Sequence, residues 1–182
     1  MIIEKNIIGW SDLEIASHQM SYAFKMESYI KRNFLNLEDF DVRLEIVNDN
    51  QSIILQEEEF TALSLQSAAQ VSISISISAF FITLWNAIEL KGKFNSKKIP
   101  VELVTEDDLL IGLIYSIRNC FAHSPGFPRW HFTNLKFQTL YTIKDKIIDL
   151  RNKQGQMFDY KDIGGHDTIW ILKNLVSERN LI

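Results

Sequence analysis

Arg118, Asn119 and His123 are the residues of this chain whose types and spacing best suit shared chemistry. They sit in Ile-Arg-Asn-Cys-Phe-Ala-His-Ser-Pro-Gly-Phe-Pro-Arg-Trp, residues 117–130, next to a hard structural stop. An ideal helix turns about 100° per residue, so Asn119 and His123 project about 40° apart, on one face. Arg118 projects about 140° from His123, but its long side chain can fold round a helix end. Asn119 is expected to hydrogen-bond the imidazole and fix its tautomer. Arg118 offers a planar fork of donors that matches a phosphate. A histidine changes charge near neutral pH and can move a proton. With no carboxylate in the group, the set suits metal-free RNA cleavage. His123 would handle the proton of the 2′-hydroxyl or of the leaving group, and Arg118 would stabilise charge building on the phosphorane.

These residues need a helix that stops on time. Thr105 with Asp108 three residues on is a helix start, and Leu109, Leu110, Leu113, Ile114, Ile117 and Phe121 give that helix a buried face. Pro125 ends it, because the residue before a proline avoids helical backbone. Upstream, Ser11 and Glu14 form a capping box for a helix running to about Leu35, with Leu13, Ala16, Met20, Ala23, Phe24, Ile30 and Phe34 at helical spacing. Residues 41–55 read as a hairpin around Asn48-Asp49-Asn50-Gln51. Ser72 to Ser78 alternates serine with isoleucine like a strand. The flanks favour a helix instead. Ala69, Ile73, Ile77, Phe81 and Trp85 step by four, and Val71, Ile75 and Ala79 line a second stripe. A long helix buried on two sides fits both. Residues 130–137 read as extended, Leu140–Ile143 and Ile147–Leu150 as a second hairpin, and Gly164-Gly165 as a break. Asp167 or Thr168 then caps a last helix with Ile169, Leu172 and Val176 on one face. The whole is a mainly α protein: a bundle of long antiparallel helices with small β-hairpin additions.

The 182 residues suit one domain spanning 1–182, with 46% apolar and 23% charged residues as in ordinary folded chains. A net charge of −4 gives no global attraction to nucleic acid or anionic lipid. One cysteine rules out an internal disulfide and suits a reducing cytoplasm. The start lacks a signal peptide's basic and apolar regions, and no run of about 18 apolar residues is evident, so no membrane partner is expected. Lys91, Lys93, Lys97 and Lys98 mark a basic linker, either a solvated loop or a local phosphate-attracting patch. Arg129 and Trp130 are candidate substrate contacts, with the indole either stacking on a base or anchoring the loop behind His123. Cys120, His123 and His131 fall short of the four ligands of a closed zinc site, so no metal is expected. Cys120 has apolar helix neighbours and reads as an inert thiol. His18 reads as polar surface and His166 as a loop residue.

Arg118-Asn119-Cys120-Phe121-Ala122-His123 resembles the signature of the HEPN superfamily, an arginine, commonly a polar residue next, then a histidine four to six residues after the arginine. The resemblance covers the motif, its helix and the helical background. It implies a four-helix bundle and a metal-independent endoribonuclease of the toxin or phage-defence type, without a cofactor. Arg118 and His123 would be catalytic and Asn119 supportive. It further implies a homodimer whose two motifs meet across one cleft, RNA as substrate, and an antitoxin protein as a second partner. Some members look noncatalytic, so the other expectation is a dimeric helical module that binds a partner protein or a nucleotide. The acidic balance and the extra hairpins, whose edges can pair with another chain, point that way.

Overall fold

The computed structural model describes residues 11–35, 39, 44–48, 51–55, 62–91 and 102–182. Ser11 caps helix α1 (Asp12–Lys31) by accepting from the Glu14 backbone, while the Glu14 carboxylate returns to the Ser11 backbone N–H at 2.7 Å. The helix stops short of Leu35. Asn33 takes left-handed backbone at φ 56°, and the Asn33 and Phe34 N–H groups fold back onto the Ile30 and Tyr29 carbonyls. That is a Schellman cap with asparagine in glycine's place. It leaves Phe34 exposed rather than in the core.

The first hairpin pairs β1 (Leu44–Asn48) with β2 (Gln51–Leu55), antiparallel, with Ile46 opposite Ile53. Helix α2 (Ala62–Leu90) follows. The serine–isoleucine stretch is therefore helical, and the stripe Ile73, Ile77, Phe81 and Trp85 is buried. Ser76 and Ser78 are buried with it, as small residues that let neighbours approach. The second stripe is not buried. Val71 and Ala79 are only half covered, and Ile75 is 49% exposed. Within Ser64–Leu90 the most apolar 18-residue window has a mean hydropathy of 1.7, so the helix is long and apolar enough by length and composition to cross a bilayer. Serines interrupt the apolar letters without lowering that mean enough to hide it. In this fold the helix packs against α1 on one side and the motif helix on the other.

Thr105 and Asp108 cap helix α3 (Glu106–Ala122) as a second reciprocal box. Replacing Ser11 or Thr105 by alanine should each cost about 1 kcal/mol of stability, read by urea denaturation. Gly112 brings α3 close to its neighbours, since a Cβ there would lie 2.9 Å from the end of Leu103. After α3 the chain runs irregularly. Residues 130–137 are not a strand: a single bridge joins Arg129 to Met157, and Leu135–Phe137 forms a 3-10 turn capped by the Asn134 side chain. The second hairpin pairs β3 (Leu140–Ile143) with β4 (Lys146–Asp149). Lys144 takes φ 54° in the turn. Tyr141, Ile143 and Ile148 face the core, and β3 packs on α3.

A second 3-10 turn (Tyr160–Ile163) and the positive-φ pair Gly164 and Gly165 lead into α4 (Asp167–Glu178). Its N-cap is His166, which makes no side-chain capping bond, so neither Asp167 nor Thr168 holds that position. Asp167 instead pairs with Lys146 at 2.9 Å. Ile169, Leu172 and Val176 are buried as a shared face. Arg179, just past α4, donates to Asp107 and Glu106 at 2.7 Å each, which ties the end of α4 to the start of α3. The described residues form a mainly helical protein with four α-helices and two small antiparallel hairpins.

Candidate active site at the end of helix α3

Helix α3 delivers Arg118 and Asn119 on its last turns and ends with His123 as its C-cap. His123 is exposed, and Arg118 is half-buried. Asn119 is buried, and its Oδ1 accepts from Arg118 Nη1 at 3.0 Å. The expected Asn119–imidazole bond is therefore replaced by an Asn119–guanidinium bond. No hydrogen bond joins Arg118 to His123. Arg118 Nε is buried without a partner, an unspent donor on a group that carries full charge.

His123 has a different neighbour. The His131 ring stands edge-on to it, centroids 4.9 Å apart and planes at 70°. Both imidazoles are exposed. The chain folds back over the Ser124-Pro125-Gly126 turn, and the Phe127 N–H closes on the Ser124 carbonyl at 3.2 Å. The intervening turn signal was legible in the letters, but their pairing across it was not.

Trp130 fixes this return. Its side chain is 1% exposed, stacked on Phe132 and tilted against Phe158. The indole N–H donates to Asp162 Oδ2 at 2.8 Å. Stacking on a substrate base is thereby ruled out for Trp130, which anchors the loop. Arg129 is exposed but spends Nη1 on the Gly155 carbonyl at 3.1 Å. Lys97 and Lys98 lie outside the described residues.

Asp162 is held from three directions. Burial pushes its carboxyl up, but Lys153 at 2.7 Å, the Trp130 indole and the Asp159 backbone N–H outweigh that and bring it below its ordinary 3.8. A depressed folded-state value contributes stability that is fully present above the ordinary value and lost as pH falls through the folded one. Asp162→Asn should therefore flatten the acid limb of the stability curve, read by urea denaturation between about pH 6 and about pH 2.

Burial pushes the Cys120 thiol up, and the Asp162 charge adds to it, so it is no nucleophile near neutrality. Among the described residues no three His, Cys, Asp or Glu side chains are grouped as metal ligands. On the other side of the returning loop lies a cavity of about 950 Å³ between α1, α2 and the start of α4, with Gly126, Phe127 and Pro128 forming one wall. No pattern in the letters points to it, because its walls come from segments far apart in the chain. No protein-family model, curated protein or solved structure matches this chain significantly.

Proposed function

We propose that the chain is a HEPN-like, metal-independent endoribonuclease of the toxin or phage-defence kind, acting as a homodimer on single-stranded RNA. The observation that carries the reading is the exposed His123–His131 pair, whose His123 lies five residues beyond Arg118, a half-buried arginine with no protein partner for its buried Nε. One imidazole takes the 2′-hydroxyl proton as that oxygen attacks the adjacent phosphorus. The other gives a proton to the departing 5′-oxygen, leaving a 2′,3′-cyclic phosphate and a 5′-hydroxyl. Arg118 stabilises the charge gathering on the phosphoryl oxygens. Asn119 holds the guanidinium rather than the imidazole, which makes it a positioning residue. The acidic chain binds RNA through local contacts, and a second copy would add its own arginine to the cleft. Incubation of the purified protein with single-stranded RNA in excess chelator tests this. Cleavage to cyclic-phosphate ends is expected, and intact RNA with folded protein would sink it.

One observation favours a second reading, a noncatalytic helical module that binds a partner protein or a nucleotide. Arg118 Nη1 is spent on Asn119, as in a purely structural arginine. Arg118→Lys separates the two, since it keeps the charge but loses the fork. A large drop in cleavage with an unchanged melting temperature supports the enzyme.

A further inference from the structure

The cavity behind the loop is built from rings. His166 is exposed at the start of α4 and lies flat on Tyr160, centroids 3.8 Å apart and planes within 24°. Phe24 of α1 stands edge-on to the same imidazole at 5.6 Å. Phe158, Trp170, one turn along α4, and Phe127, 67% exposed, complete the aromatic lining. Phe24, Tyr160 and Trp170 are each only half covered, although they sit in one of the most aromatic regions of the fold.

The charges nearby are already spoken for. Lys31 pairs with Glu27 on α1, and Lys146 pairs with Asp167. Burial raises the Tyr160 phenol to about 12, with the Glu27 charge adding to it, so the ring stays neutral. A phosphate or an ammonium group would have to break an existing pair to bind here. An acyl chain would gain only non-directional burial here and would leave the polar side chains of the wall unused. A flat, uncharged heteroaromatic ring gains stacking on the His166–Tyr160 pair, and Ser67, Ser74 and Gln70 line the same cavity as hydrogen-bonding groups for its edge. The volume lies within the range of small-molecule sites.

We propose that this cavity binds a nucleobase, stacked on the imidazole of His166. The base comes from a free nucleoside or from an unstacked nucleotide of an RNA strand. Only the second source rests on the ribonuclease reading, because Gly126–Pro128 walls the cavity and directly follows the His123 turn. In that case the pocket holds a base next to the cut and sets sequence preference.

The test is calorimetric titration with adenosine, guanosine, cytidine, uridine and a short single-stranded RNA. Wild type is compared with His166→Ala, Ser74→Trp and His123→Ala, each checked by thermal melting. His166 makes no capping bond, so its removal spares the helix. Expected is saturable binding that weakens about tenfold in His166→Ala and disappears in Ser74→Trp, with His123→Ala binding the free nucleosides as wild type does. Binding of nucleosides identifies the free base as sufficient. Binding of RNA alone, weakened by His166→Ala, identifies the strand as its source. No binding by wild type, or equal binding by wild type and His166→Ala, overturns the proposal. Base binding without cleavage removes the ribonuclease reading and leaves this one standing. Cleavage without base binding does the reverse.

Discussion

His123→Ala should lower RNA cleavage by about 10²–10⁴-fold, the usual worth of a positioned acid or base. His131→Ala should do the same within about tenfold, because either proton transfer limits the reaction when its partner is lost. The double variant should cost little more than one single variant, since residues acting as a unit are not additive. Both rings are exposed, so the melting temperatures should not move. The pH–rate profile distinguishes the roles. Wild type should fall off on both sides of an optimum, and each single variant should lose one limb. If His123→Ala is inactive and His131→Ala is fully active, the pair is not the catalytic unit. Chelator should change none of these ratios.

Trp130→Ala should destabilise the protein by about 3–5 kcal/mol, among the largest effects of any single truncation here. The indole is 1% exposed, is packed against Phe132 and Phe158, and holds one oxygen of Asp162. Its loss opens a cavity and strips a buried carboxylate of a donor. Trp130→Phe keeps most of the packing and loses only the N–H, so about 1–3 kcal/mol is expected. Urea denaturation gives both values. Trp130→Phe also reports on the site, because Trp130 is the neighbour of His131. A fall in cleavage with unchanged RNA binding is the expected sign that the anchor positions that imidazole. Equal stability of Trp130→Ala and wild type would mean that the loop is not pinned through this residue.

Much of the framework was legible because local rules decided it. The capping boxes at Ser11 and Thr105 are short-range signals that no distant contact overrode. The flanks of the serine–isoleucine stretch outweighed its alternation, since apolar residues four apart continue on both sides. The second hairpin was legible from its turn, although β4 starts at Lys146 rather than Ile147. What escaped was set by side-chain choice or by distant segments. Asn119 had two polar neighbours within reach, and spacing alone cannot rank a guanidinium against an imidazole. The end of α1 turned on one asparagine accepting left-handed backbone. The His123–His131 contact and the cavity needed the path of the loop, which periodicity does not encode.

The helix through the middle of the fold carries a second possibility in its letters. Ser72–Ser78 holds no charge and no proline, and its β-branched residues occupy every other place. Released from α1 and α3, such a segment meets the requirements for stacking with copies of itself in cross-β order. The packing that positions the motif helix therefore also keeps this stretch from pairing between molecules. Conditions that partly unfold α2 should therefore promote fibril formation, read as a rise in thioflavin T fluorescence.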